Sequence, residues 1–209
     1  MKNGSSLTNL DKNQKLSLIL IVVVVLLIIL ALFVCFNDPK TDGHTNATDT
    51  IFTTQSGKKI KTVYKDLGKF LIRVPSDFKP MSKELLELKY PLGNTPKKAY
   101  ANEDASISIV YNGNNTELSG MNLTEFVETS KSTFSQMGYF YYYFPLEVNG
   151  LDVHTIALNT NAIDSKIYNY MIIFSVDDEI MILNFNCTEN HQSEWSQLGE
   201  FIAKSIKVK

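Results

Sequence analysis

Asp152 and His154 are the residues whose types and spacing first suggest chemistry. Positions two apart lie on the same face of a strand, so this carboxylate and imidazole could begin a metal site or form a catalytic pair. No third ligand and no nucleophile follows at a recognisable spacing, which favours a pair of surface residues. The sequence therefore predicts no catalytic residue, metal site or cofactor here, and an enzyme is not expected.

Two further groups invite a chemical interpretation. The acidic run at residues 177–179 could attract a cation, but it lacks the glycine and the ligand spacing of a calcium loop, so a solvated turn is the better account. Cys187 alternates with Met181, Leu183 and Phe185 in a strand-like pattern. That pattern predicts a small buried apolar residue rather than a nucleophile.

Six consecutive aromatic residues, YFYYYF, occupy positions 139–144. On a strand, Tyr139, Tyr141 and Tyr143 face one way and the other three residues face the opposite way. The favoured interpretation is a strand that is covered on both faces. The functional alternative is an exposed tyrosine face that binds a glycan or a protein partner, which makes these three tyrosines the possible partner-binding residues.

Four Asn-x-Thr sequons lie after the apolar N-terminal segment, at Asn46, Asn114, Asn122 and Asn186. Asn46 and Asn114 are the possible glycosylation sites, because both fall in predicted loops. Asn122 is needed as a helix cap, and Asn186 falls in a predicted strand.

The elements that must position these residues follow Lys58. The first predicted elements are a strand at Phe70–Val74 stopped by Pro75, a short helix at Ser82–Tyr90 and a half-buried strand at Ile107–Tyr111. A capped helix follows from Asn122 to Gly138. The chain then forms two hairpins, Tyr139–Val148 with Leu151–Asn159 and Ile167–Val176 with Ile180–Cys187, and a final helix from about His191 to Lys204. This order predicts an α+β domain: one antiparallel sheet of about six strands with packed helices.

Residues 16–36 form a run of 21 residues without a charge, with Ser17 as its only clear polar member. A helix of this length reaches about 30 Å, which is the thickness of a bilayer's hydrocarbon core. Lys2, Lys12 and Lys15 precede the run, so the positive-inside bias places residues 1–15 in the cytoplasm and the rest outside. The sequence predicts a single-pass anchor in the cell membrane.

Two rival interpretations of the apolar run are a cleaved signal peptide and a lipoprotein. A signal peptide has a shorter apolar region and a small-x-small cleavage site, and neither is present. Lipidation of Cys35 would need a small residue before it, where the chain has Val34.

The polar stretch at residues 37–57 is predicted to be a disordered tether, and residues 58–209 the extracytoplasmic domain. Of 20 Lys and Arg and 22 Asp and Glu, three Lys and one Asp precede residue 37, which leaves 17 basic and 21 acidic residues, a net charge of −4. No basic face is implied, so nucleic acid is not an expected partner. The two cysteines are not expected to pair, because Cys35 lies at the end of the predicted anchor and Cys187 lies in the outer domain.

The outer domain resembles the PsbP-like family over about residues 60–209. The resemblance rests on KFLIRVPSDF at residues 69–78, on the VNGLDV turn at 148–153, on FIAKSIKV at 201–208 and on the order of elements. It implies a non-enzymatic accessory domain outside the membrane and carries over no functional residue.

The sequence therefore predicts a membrane-anchored binding or accessory module, held by the bilayer through residues 16–36 and facing an envelope protein or a glycan. An envelope hydrolase with an unrecognised site and a glycan-binding surface protein are the alternatives. A sensor is less favoured, because residues 1–15 are too few to fold into a signalling domain.

Overall fold

The fold is described from a computed structural model, which describes residues 50–90, 95–113, 121–162 and 165–209. The strands in these ranges are β1 Thr50–Thr53, β2 Lys59–Asp66, β3 Phe70–Pro75, β4 Lys79–Pro80, β5 Lys98–Ala101, β6 Ile107–Tyr111, β7 Tyr141–Val148, β8 Leu151–Asn161, β9 Lys166–Val176, β10 Glu179–Thr188 and β11 Lys207–Val208. The helices are α1 Lys83–Lys89, α2 Leu123–Gln136, α3 Glu189–Trp195 and α4 Gln197–Lys204.

The strands of the described ranges form two antiparallel sheets. The smaller sheet has the order β1-β2-β3-β11, and the larger has the order β4-β5-β6-β10-β9-β8-β7. The expected α+β class with antiparallel pairing is confirmed, but the expectation of one sheet with about six strands is wrong. The second sheet was missed because β2 reads KIKTVYKD, where charged residues on the exposed face obscure the buried Ile60 and Thr62.

The centre of the larger sheet is β10. As predicted, Met181, Leu183, Phe185 and Cys187 share one face, and each is at most 1% exposed. These side chains pack with the smaller sheet and with α4 in the main core. The opposite face of the sheet is covered by α2, whose Phe126, Val127 and Phe134 contact β8, β9 and β10. Both faces are therefore buried across the middle of the larger sheet.

The two sheets meet through β3, the predicted strand that ends at Pro75. Phe70, Ile72 and Val74 are fully buried. The Phe70 ring makes an edge contact with Phe174 of β9 at 4.9 Å between centroids, and another with Tyr111 of β6 at 5.2 Å. The predicted half-buried strand at Ile107–Tyr111 is instead buried along its whole length, because layers cover both of its faces.

The helix α2 begins as its sequence predicts. Asn122 Oδ1 accepts a hydrogen bond from the Glu125 amide at 2.9 Å, and the Glu125 carboxylate accepts one from the Asn122 amide at 3.2 Å. This reciprocal capping box satisfies two amides that a helix start otherwise leaves unpaired. Gly138 follows the helix with φ +74°, a conformation that favours glycine.

The single C-terminal helix predicted from about His191 to Lys204 is wrong in one respect: α3 and α4 are separate helices that meet at Ser196. Leu198 and Ile202 are fully buried on α4, while Trp195 packs against the core from the end of α3. The break lets Trp195 reach Phe52 and Phe78, both at 6.1 Å between ring centroids.

The tether predicted at residues 37–57 extends too far into the domain. Thr50–Thr53 is a strand that pairs with β2. Phe52 is buried against Phe201 and Trp195 of the C-terminal helices. This one buried aromatic residue gives a largely polar segment enough apolar contact to join the core.

The predicted anchor at residues 16–36, the remainder of the tether, Asn46 and Asn114 lie outside the described residues. Within the ranges given above, no helix combines the length and the apolar character needed to cross a bilayer.

Candidate functional site

The β7–β8 hairpin carries most of the predicted site residues. Asn149 and Gly150 connect the strands with φ of +54° and +77°, as a two-residue type I′ turn requires. The predicted hairpin is thereby confirmed. The register then pairs Val148 with Leu151, Tyr142 with Ala157 and Tyr141 with Leu158.

The tyrosine face proves to be the covered face of this strand. Tyr139, Tyr141 and Tyr143 are partly buried and pack against the cluster formed by α2 and the larger sheet. The Tyr141 ring lies 6.2 Å from that of Phe134. The alternative of an exposed tyrosine face at these three positions is therefore wrong, because α2 lies over it, as the favoured interpretation of a covered strand expected for this face.

The alternate residues of the same run are exposed instead. Phe140, Tyr142 and Phe144 are 75%, 57% and 48% exposed. We call these three residues the aromatic edge. The rings of Phe140 and Tyr142 meet edge to face at 5.0 Å, and Tyr142 and Phe144 are stacked at 6.3 Å with planes 14° apart. Coverage on both faces, the favoured interpretation, therefore fails for this strand, because this face is open.

β7 is the outermost strand of the larger sheet in the described part of the chain. The residues that flank a two-residue turn form a hydrogen-bonded pair, and such pairs alternate along the ladder. Counting back from Val148, the backbone polar groups of Phe144 face β8, and the backbone nitrogen and carbonyl of Pro145 face outward, away from the sheet. A proline at an outward position removes one amide from the open edge without breaking the ladder.

A cleft of about 480 Å³ lies beside the aromatic edge, between the ends of β7, β8 and β9 and the start of α3. Its size falls within the range of about 300–1,000 Å³ that is usual for small-molecule sites. We call it the amide cleft, since three side-chain amides line it. Its described lining residues are Met137, Gly138, Tyr139, Phe140, Tyr142, Ala157, Leu158, Asn159, Asn161, Tyr168 and Gln192.

Asp152 and His154 do lie on one face of β8, as predicted, and they join a chain of polar contacts with Tyr143. His154 Nδ1 is 2.7 Å from Tyr143 Oη, and His154 Nε2 is 3.3 Å from Asp152 Oδ2. The second contact is within ion-pair distance, but this nitrogen makes no hydrogen bond in the described part of the chain.

Tyr143 lies between Lys131 of α2 and His154 of β8. Burial raises the pKa of the Tyr143 phenol, so its hydroxyl keeps its proton at neutral pH. A protonated phenol is a poor nucleophile. Lys131 of α2 lies over the Tyr143 ring at 4.6 Å and pairs with Glu128 at 2.7 Å. The contacts therefore connect α2 to the hairpin.

The acidic run forms the turn between β9 and β10. Asp177 and Asp178 have positive φ. Lys69 lies 3.2 Å from Asp177 and 3.2 Å from Glu179, and the hydrogen bond to Asp177 is the main cause that raises the pKa of Lys69. Lys69 thus supplies the positive charge that the carboxylates of Asp177 and Glu179 attract. Within the described ranges, no group of three or more His, Cys, Asp or Glu residues is placed to hold a metal ion.

Cys187 is 1% exposed, and burial raises the pKa of its thiol to about 12. The predicted role as a buried apolar residue is confirmed, because such a thiol is almost entirely un-ionised at neutral pH. Of the sequon residues that the structure describes, Asn122 caps α2, and Asn186 Oδ1 accepts a hydrogen bond from Ser108 at 2.6 Å.

No family model matches the chain, and no curated protein matches it. Among solved structures, a Bacteroides thetaiotaomicron protein is similar at 9% identity and TM-score 0.44. The match covers 68% of this chain and 45% of that protein. The cyanobacterial PsbP of Synechocystis is similar at 7% identity and TM-score 0.45, over 82% of this chain and 98% of that one. A Pseudomonas aeruginosa protein of unknown function is similar at 6% identity and TM-score 0.41, over 71% of this chain and 97% of that one.

One of these three similar structures is thus a PsbP. At these identities and TM-scores, none of the three proteins lends this chain an activity or a partner.

Proposed function

We propose that this protein is a membrane-anchored binding module of the PsbP-like kind. Residues 16–36 hold it in the cell membrane, residues 1–15 lie in the cytoplasm, and the α+β domain lies outside. The domain binds a component of the cell envelope through the aromatic edge. No catalytic step is assigned to it.

The exposure of the aromatic edge is the observation that carries this proposal. Single exposed apolar residues are ordinary on protein surfaces, but contiguous apolar patches mark interaction sites. Phe140, directly before β7, and Tyr142 and Phe144 on β7 form a row in which neighbouring ring centroids are 5.0 and 6.3 Å apart. Aromatic side chains also lose little rotamer entropy when they become buried in an interface.

The apolar run at residues 16–36 and the lysines before it support the anchor and its orientation. The contacts of Asp152, His154 and Tyr143 support a binding role over the hydrolase alternative. Tyr143 packs between Lys131 of α2 and His154 of β8, and none of the three residues lines the amide cleft.

The test is capture from native membranes with the full-length chain. Bait protein is cross-linked in intact cells, extracted and analysed, both as wild type and as the triple variant Phe140→Ser, Tyr142→Ser, Phe144→Ser. Leu88→Ser is the matched control, because Leu88 is a 77% exposed apolar residue on α1, away from the aromatic edge.

We expect the triple variant to lose the captured component and the Leu88→Ser variant to keep it. Equal capture by wild type and the triple variant, with unchanged melting temperatures, would contradict binding through the aromatic edge. Protease protection of tags at each terminus tests the orientation, and a protected C-terminus in sealed cells would overturn it.

A further inference from the structure

We propose that the amide cleft binds an uncharged glycan, with a sugar ring placed against Tyr142 and Phe140. This inference rests on the proposed function and gives the chemical class of the ligand. It moves the glycan site from the tyrosine face, which α2 covers, to the opposite face of the same strand.

The charge of the lining limits the ligand class. None of the described residues that line the cleft is Asp, Glu, Lys, Arg or His. Lys166, the ladder partner of Asn161, already pairs with Glu189 at 3.6 Å. A phosphate, a carboxylate or an ammonium group would enter this cleft without a countercharge among the described lining residues, which disfavours a charged ligand. An uncharged ligand needs no countercharge.

The aromatic rings supply one half of sugar recognition. Tyr142 and Phe140 stand at right angles on the wall of the cleft, and both are more than half exposed. The face of an aromatic ring is electron-rich, so it attracts the polarised C–H bonds on the apolar face of a pyranose. Ala157, the ladder partner of Tyr142, is small and leaves space beside the ring.

The three amides supply the other half. Asn159, Asn161 and Gln192 each offer a donor and an acceptor, which matches hydroxyl groups that both donate and accept. Their side chains make no hydrogen bond with any other described residue. Asn159 and Asn161 come from β8, and Gln192 comes from α3, so the amides approach from two sides. A purely apolar ligand would leave them unpaired.

The experiment measures oligosaccharide binding to the full-length chain in phosphatidylcholine nanodiscs, since alkyl glycoside detergents carry sugars themselves. Titration calorimetry uses chitotetraose, cellotetraose, mannotetraose and maltotetraose as neutral probes and tetragalacturonic acid as the acidic comparison. The variants are Tyr142→Ala and Gln192→Ala, with Leu88→Ala as the control. Melting temperatures confirm that each variant is folded.

We expect at least one neutral probe to bind. The Tyr142→Ala variant should bind it about tenfold more weakly, which corresponds to about 1.4 kcal/mol, and Gln192→Ala about threefold more weakly. Leu88→Ala should bind as the wild type does. Affinity for none of the neutral probes, preference for the acidic probe, or binding that Tyr142→Ala leaves unchanged would each overturn the inference.

The capture experiment separates this inference from the proposed function. A captured protein that still binds after periodate oxidation of its glycans, and still needs the aromatic edge, would overturn glycan recognition and leave the binding module in place. Capture that is indifferent to the aromatic edge would overturn the proposed function itself.

Discussion

Tyr141 and Tyr142 are neighbours in the chain with opposite surroundings, because side chains alternate along β7. We expect Tyr141→Ser to lower the free energy of unfolding by about 1–3 kcal/mol, since it removes a partly buried ring that packs near Phe134. Tyr142→Ser should change it by less than about 0.5 kcal/mol, as is usual for exposed positions. Urea unfolding of both variants checks this, and equal losses would contradict the assignment of the two faces.

Cys187 makes a second residue-level prediction. With a thiol pKa of about 12 in the folded chain, against about 8.5 when unfolded, iodoacetamide at pH 8 should modify it only after unfolding. The unfolded state binds fewer protons between these two values, so stability should fall as pH rises from about 9 toward about 12. Mass spectrometry in a Cys35→Ser background reports the modification. Rapid labelling of the folded chain would contradict the burial of Cys187.

The sequence of residues 139–144 shows which side chains share a face of the strand, but it does not show which of the two faces another element covers. In YFYYYF both faces are aromatic, so the pattern contains no difference that would identify the exposed side. The deciding contact is with α2, which lies before β7 in sequence and packs on the larger sheet through Phe126, Val127 and Phe134. The amide cleft was missed for a related reason, since Asn159 and Gln192 meet only in the folded chain.

Among the elements, the β7–β8 turn offers the sharpest test. A β-carbon added to Gly150 would meet no atom within 4 Å, so any cost of Gly150→Val comes from its φ of +77°. We expect a loss of about 1–2 kcal/mol, or a melting temperature lower by about 2–8 °C. Asn149→Gly, the control, keeps a residue that tolerates positive φ and should change little. An unaltered melting temperature in Gly150→Val would contradict the turn.

Elements with a local signal were predictable: Pro75 ends β3, Asn122 and Glu125 begin α2, and Asn149-Gly150 joins β7 to β8. β1 was not, since its only buried residue is Phe52 and its pairing partner must be known first. The break at Ser196 also has no local signal, because the apolar spacing from Trp195 to Ile202 suits one continuous helix.

For the whole molecule, the boundary of the domain is the main prediction. A fragment of residues 50–209 should stay in solution and unfold in one cooperative step. A fragment of residues 58–209 should be less stable by about 3–5 kcal/mol, because it lacks Phe52 between Trp195 and Phe201. Calorimetry compares the two. Equal stability would contradict the place of β1 in the fold, and recovery of residues 50–209 only as aggregates would contradict the boundary.

The two-sheet arrangement lies beyond local patterns, since the pairing of β11 with β3 joins residues more than 130 positions apart. Such pairings depend on which buried surfaces match, which a single sequence does not display.

Pro145 affects how identical chains could associate through β7 when they are crowded together. An open strand with three exposed aromatic rings is the kind of surface on which identical chains polymerise side by side. The missing amide at Pro145 interrupts the row of donors that a second copy would need. Where copies of the chain are crowded together, this gap opposes side-by-side pairing through β7 while the aromatic rings stay exposed.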